Sequence, residues 1–484
     1  MKENSSRKSV ISGLFWKFGE RLLTQGVAFV ISVVLARILA PEDYGTIALV
    51  NVFISLASVF ITSGFATALI QKKDADSTDF STIFFCSLGC SALIYAVLYL
   101  AAPFVAAFYG VPVLKSVLRV YALQIPLSVY HSVQVAYVSR HMQFKKAFVS
   151  SGITCVLSGV VGIAMALAGK GVWALIAQSM SSTVINTVIM MRLIPWRPEW
   201  KFSAPSAKKM MQYGSRLLAA DLSGTFFNEI RSLIVGKLYT SADLAYYNKG
   251  HQVPHMLTGN LINVLQSVMF PAMANHSDDL PQLKQLVRRS MRVMAYVMLP
   301  CMVGLSAVME PLILLLFTEK WAETIPYGQL LSIGLGFSLL GSFSLQTMKA
   351  IGRSDVVLKL ELVKKPVYLL TILLGVSHSV MGLAVSAVVY DFYALLVNQW
   401  QMKKYIHYSM KEQLQDLLPA AFLSMVMAGA VWILPTVESL IVTLLAKVLL
   451  GIVVYVLGSA LLRLESFWYL CNLLRSYMPK SKVR

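Results

Sequence analysis

The stretch WKFGERLLTQGVAFVISVVLARILAPEDYG, from Trp16 to Gly45, decides the fold. It begins polar, turns apolar and ends polar. From Leu22 to Ala36 it carries no charge, and its Leu, Val, Ile and Phe content reads as a membrane helix. Lys17, Glu20 and Arg21 nevertheless sit where that helix should already be in lipid. A charge in the hydrocarbon costs about 2.5–3.5 kcal/mol on insertion scales. At about 100° per residue, Lys17, Glu20, Arg21 and Thr24 share one arc of the helix. Two readings follow: the cations snorkel to the interface, or the arc is a polar stripe lining a cavity.

Outward from this stretch, the composition is that of a polytopic membrane protein. The 484 residues are 57% hydrophobic and only 13% charged, against about 25% charged in soluble domains. Fourteen spans are expected, each about 20 residues long. They fall near 13–38, 46–70, 81–107, 117–138, 148–168, 172–193, 212–237, 251–273, 292–316, 326–349, 358–377, 382–401, 417–435 and 440–462. The runs are continuous rather than alternating, which excludes a β-barrel. No signal-peptide cleavage pattern precedes the first span, so it is read as retained.

The net charge is +19. In a soluble chain that would suggest nucleic acid; here the loop pattern explains it, and no nucleic-acid partner is expected. Of the 42 Lys and Arg residues, 29 fall on the side of the N-terminus and seven on the other, alternating loop by loop. The positive-inside rule then puts both termini in the cytoplasm. Every loop is short, so no extramembrane domain could house a soluble enzyme. The basic tail after Leu462 reads as either an amphipathic segment on the anionic leaflet or a solvated end. The five cysteines show no metal or redox spacing.

Around position 200 the sequence begins again. Gly19-Glu20-Arg21-Leu22-Leu23 is echoed by Gly214-Ser215-Arg216-Leu217-Leu218. Ala36-Arg37-Ile38-Leu39 with Asp43 and Tyr44 is echoed by Gly236-Lys237-Leu238-Tyr239 with Asp243 and Tyr246. Gln134 pairs with Gln346. Six spans separate the partners, so the halves form a parallel repeat, the plan of transporters that bind substrate between two rocking lobes. The expected division is an N-terminal lobe over 1–200, a C-terminal lobe over 201–410, and two extra helices with a basic tail over 411–484.

The seventh span carries Arg216, Asp221, Asn228, Glu229 and Arg231. If it partners the first, Lys17 and Arg21 face Arg216 and Arg231 across one vestibule, a basic lining suited to a diphosphate. Glu20, Gln25, Asp221, Asn228 and Glu229 complete the expected lining, with the acidic groups pairing unoccupied cations. The alternative is that Arg231–Glu229 and Arg216–Glu20 pairs merely hold helices together. Gln346 and Lys349 are further cavity residues, and Asp221, Glu229 and Asp391 are the groups for ion coupling. His251 and His255 have metal spacing, but Pro254 intervenes and no third ligand is evident, so no metal or cofactor is expected. Asp76 and Asp79 lack the context of a sugar-nucleotide site.

The signature WKFGER through LARILAPEDYG resembles the N-terminal region of the polysaccharide-transporter family. These are the Wzx-like O-antigen, exopolysaccharide and teichuronic-acid exporters of the multidrug/oligosaccharidyl-lipid/polysaccharide superfamily. Phe270-Pro271 and Gly352-Arg353-Ser354-Asp355 extend the resemblance along the chain. It implies an all-α, two-lobed flippase in the bacterial inner membrane that moves an undecaprenyl-diphosphate-linked oligosaccharide outward. Membrane lipids, and a polysaccharide polymerase with its export machinery, are the implied partners. Basic residues in the first and seventh spans line the family's cavity, and Lys17, Arg21, Arg216 and Arg231 match them. A cation-coupled drug antiporter of the same superfamily should prefer an acidic cavity. A membrane polymerase or ligase should show a large external loop.

Overall fold

A computed structural model of the chain describes residues 2–61, 69, 76–264 and 269–477. The side chains of Lys17 and Arg216 lie outside the described residues, as do Lys72, Lys73, Lys480, Lys482 and Arg484 of the charge pattern. Among the described residues every regular element is a helix, as lipid demands of a chain that must satisfy its backbone internally. Packing separates two compact units, Met1–Ala245 and Tyr246–Arg484.

The first unit contains α1 (Lys2–Ile38), α2 (Pro41–Ile61), α3 (Ser77–Tyr109), α4 (Val113–Tyr121), α5 (Gln124–Arg140), α6 (Phe144–Leu167), α7 (Val172–Leu193) and α8 (Ala204–Leu238). α9 (Ser241–Val264) begins at its end. α1 packs on α6, α6 on α7, and α8 on α2 and α3. The expected repeat would place α8 in the second half of the chain, but its packing places it in the first unit. The sequence boundary near 200 follows the repeat; the packing boundary follows these contacts. One core lies around Phe80, Ile83, Val133, Met190 and Trp196.

The second unit continues with α10 (Phe270–Ala274), α11 (Leu280–Ala307), α12 (Met309–Phe317), α13 (Thr324–Ala350), α14 (Ser354–Val376), α15 (Val380–Ile406), α16 (Met410–Ile433), α17 (Leu440–Leu461) and α18 (Glu465–Tyr477). α11 packs on α13 and α16, α15 on α13 and α14, and α17 on α16. Phe343, Leu395 and Met402 are buried in its core.

Local chemistry sets the helix starts. Side chains of Asp76, Asp279, Ser409 and Ser439 accept from backbone amides of the first turn of α3, α11, α16 and α17, which satisfies donors the helix itself leaves free. Asp76 and Asp79 form a reciprocal capping box, with Asp79 N–H to Asp76 Oδ1 at 2.8 Å and Asp76 N–H to Asp79 Oδ2 at 3.1 Å. Ser206 Oγ donates to Asp79 as well, tying α8 to α3. These two carboxylates are therefore structural.

The sequence pattern at 36–45 and 236–246 repeats in structure. The Ala40 N–H donates to Asp43 Oδ2 and the Thr240 N–H to Asp243 Oδ2, so both aspartates cap the helix start three residues back. Gly45 has a further reason to be glycine: a Cβ there would lie 1.7 Å from the Ser241 carbonyl oxygen. The starts of α2 and α9 meet backbone to side, and no other residue fits.

Ten helices among the described residues are long and apolar enough to cross a membrane. The expected spans at 117–138, 212–237, 251–273 and 358–377 are not among them. The first is interrupted: α4 ends at Tyr121 and α5 begins at Gln124, where Pro126 has no N–H to donate to the Ala122 carbonyl and its ring crowds that carbonyl. Of the other three, 212–237 and 358–377 correspond to α8 and α14, long enough but lowered in hydropathy by polar content, while 251–273, whose first part lies in α9, includes 265–268 outside the described residues.

Candidate functional site

α1 meets α6 along Trp16, Gly19, Leu23 and Ile31. The Trp16 and Phe148 rings lie 5.3 Å apart, and Leu23 and Ile31 approach Gly152 and Gly159. Glu20 lies on this seam and accepts from Ser151 Oγ at 2.9 Å. Thr24 Oγ1 donates to the Glu20 carbonyl oxygen at 2.6 Å, and its own carbonyl oxygen is the acceptor for Cys155 Sγ at 3.8 Å. Polar contacts of this kind hold helices together where lipid offers no hydrophobic drive between them. Glu20 thus has a packing role.

Arg21, its neighbour, is different. It is half-buried, and among the described residues no hydrogen bond or ion pair engages its guanidinium. Gln25 is half-buried one turn further along. On α8, Asp221 is half-buried, and among the described residues its carboxylate likewise has no partner. Asn228 is exposed. Glu229 accepts from Ser55 Oγ of α2 at 3.3 Å, and Arg231 is half-buried. α1 therefore rests on α6, while α8 rests on α2 and α3.

The residues of the second unit diverge. Gln346 is buried near the end of α13, 8% exposed. Lys349 is exposed in the last turn of the same helix, where a cation suits the helix dipole. Asp391 on α15 is half-buried, its Oδ2 set 3.0 Å from the place a Cβ would take on Gly334. The glycine makes room for the carboxylate. His251 and His255 on α9 stand 5.3 Å apart by ring centroid.

Two polar features escaped the sequence reading, and a third, Gln134, entered it only as the repeat counterpart of Gln346. His131 on α5 lies within electrostatic reach of Glu20, and its buried Nδ1 has no hydrogen-bond partner among the described residues. Gln134, one turn on, is fully buried with both amide atoms unpartnered among those residues. Lys364, which the charge pattern assigned to a loop side, lies inside α14, 4% exposed, and donates to Glu361 Oε1 at 2.6 Å. The signal available for all three was only that a polar residue interrupts an apolar run. Burial depends on which neighbour covers it.

The fold is that of a multi-pass membrane transporter. Over 93% of this chain it matches lipid II flippase MurJ in its inward closed conformation, with a TM-score of 0.73, 16% identity and 98% of that chain covered. It also matches an inward-facing multidrug MATE transporter, with a TM-score of 0.63 at 15% identity, covering 80% of this chain and 94% of that one. At such identities the likeness is one of fold alone. Residues 34–326 match the family described as polysaccharide biosynthesis protein, and the chain belongs to that family. A succinoglycan biosynthesis transport protein of Rhizobium meliloti is 24% identical over 74% of this chain and 72% of its own length. A lipopolysaccharide biosynthesis protein of Escherichia coli is 22% identical over 77% and 76%.

Proposed function

We propose that the protein is a flippase carrying an undecaprenyl-diphosphate-linked oligosaccharide repeat unit across the bacterial cytoplasmic membrane by alternating access, for surface polysaccharide biosynthesis. The observation that carries this reading is Arg21: a guanidinium at the edge of the uncharged stretch 22–36 of α1, with no partner among the described residues, in a family of polysaccharide biosynthesis proteins. A cation left without a carboxylate in a span marks a substrate path, and a guanidinium matches phosphate oxygens two at a time. Lys17, Arg216 and Arg231 join it in binding the diphosphate, with Gln25, Asn228, Gln346 and Lys349 toward the sugars. Asp221, Glu229 and Asp391 are the groups for ion coupling, and Asp221 leads because its carboxylate has no partner among the described residues. In this reading the two lobes are 1–200 and 201–410, 411–484 adds two helices and a tail, both termini are cytoplasmic, and polymerase and export proteins receive the product.

The test uses proteoliposomes containing a fluorescent oligosaccharide linked through a diphosphate to a polyprenyl tail. Protection from a membrane-impermeant quencher reports flipping. Wild type should flip the probe, and Lys17→Ala/Arg21→Ala should not. Flipping by both makes the cations structural. No flipping by folded wild type, across several glycans and imposed ion gradients, moves the assignment to drug antiport.

A further inference from the structure

A second cationic site lies far along the chain, where α18 rests on α11. There Arg288, Arg289 and Arg292 of α11 face Glu465, Ser466 and Tyr469 of α18 around a cavity of about 490 Å³. A second cavity of about 290 Å³ adjoins it, sharing Arg292, Glu465 and Ser466 and adding Arg463.

Most of the charge here is already balanced. Lys284 pairs with Glu412 at 2.8 Å. Arg288 grips Asp416 with Nε at 2.8 Å and Nη2 at 3.0 Å. Arg292 reaches Asp416 at 2.8 Å and also pairs with Glu465. Two cations remain. Arg289 stacks 3.6 Å above the Tyr469 ring, and among the described residues no carboxylate comes within ion-pair distance of it or of Arg463. Arg463 also has φ +50°. It occupies the left-handed position after α17, where the Leu464 N–H closes on Ser459 O at 3.0 Å. Glycine fits that position best, and a side chain costs about 1–3 kcal/mol. The chain keeps a cation there at the expense of backbone comfort.

Depth supplies the ligand. Arg463 lies two residues beyond the end of α17, the most apolar of the spanning helices, hence at head-group level. Phe467 and Leu470 of α18 pack on the cluster of Tyr296, Leu423, Met427 and Tyr455, while Trp468 is 47% exposed, as tryptophans are at a membrane interface. We infer that the two adjoining cavities at α18 bind the phosphate of an anionic phospholipid head group, through Arg289 in the larger and Arg463 in the smaller, fastening α18 to the bundle. The inference does not depend on which substrate is transported.

The test measures energy transfer from the protein's tryptophans to dansyl-labelled phosphatidylglycerol, with dansyl-phosphatidylcholine as the neutral control, in nanodiscs holding the full chain. Wild type should favour the anionic probe. Arg289→Gln and Arg463→Gln should each weaken that preference about five-fold, with thermal unfolding in lipid-free detergent unchanged, since neither arginine belongs to the Asp416 network. Asn472→Asp, which adds a carboxylate to the larger cavity, should weaken it in the same direction without removing any contact. Equal preference in wild type and all three variants overturns the proposal. Displacement of the lipid probe by millimolar inorganic phosphate also overturns it, by making the cavities a site for a soluble anion.

Discussion

Arg21 of α1 and three of the four cations of α11 sit on similar long helices and are treated in opposite ways. On α11, Lys284, Arg288 and Arg292 are each matched by Glu412, Asp416 or Glu465. On α1, Glu20 is tied to Ser151, but among the described residues Arg21 meets no carboxylate. The contrast separates two uses of a cation in a membrane protein. A matched one cements helices, and removing its partner leaves charge stranded. An unmatched one is a standing cost to the fold, retained where something else must bind.

The largest effect should come from breaking the matched side. Asp416 is 5% exposed at its side chain and accepts from Arg288, Arg292 and the Tyr408 hydroxyl. Asp416→Ala should cost about 3 kcal/mol, the low end for a broken buried ion pair, because each arginine keeps more than a quarter of its side chain exposed. Denaturation in detergent measures it, and a loss below about 1 kcal/mol would dissolve the contrast. Gly45→Ala probes packing without charge. With the Ser241 carbonyl in the way, it should cost about 2 kcal/mol by overpacking, read by the same assay. Arg21→Ala should do the reverse of Asp416→Ala: stability within about 0.5 kcal/mol of wild type, and transport of the polyprenyl-diphosphate probe down about ten-fold, as expected for losing a charge-assisted contact. The smallest effect should be at Arg353, paired with Asp355 at 2.9 Å on an open surface. Arg353→Gln should leave unfolding and transport at wild-type values in moderate salt, since such pairs are screened.

The apolar runs made the all-helical membrane architecture readable, because length and hydropathy suffice for that. The aspartates at 43 and 243 were readable as an echo, and the shared cap explains why they recur. Much of the site was not readable. An apolar helix does not announce which of its faces meets protein and which meets lipid, so Glu20 on the α1–α6 seam and Arg21 beside it looked equivalent. Lys364 looked like a loop cation because positive charge near a helix end is usually solvated. The tail after Leu462 had two readings; it folds as α18 because Phe467 and Leu470 find a place against Tyr296 and Tyr455. The break at 122–123 follows from Pro126, a signal present in the sequence but passed over by a span-length criterion.

The placement of α8 bears on how the chain is made. Its 35 residues fall short of the hydropathy of a self-inserting segment, yet its partners α2 and α3 are synthesised well before it. At about 5–20 residues per second, the earlier helices must wait for roughly 5–35 s with the α8 docking face open. An early-formed α2–α3 face would then offer a less apolar segment a protein surface to pack on. Biogenesis, rather than transport, is where small changes on the α2 surface would be felt first.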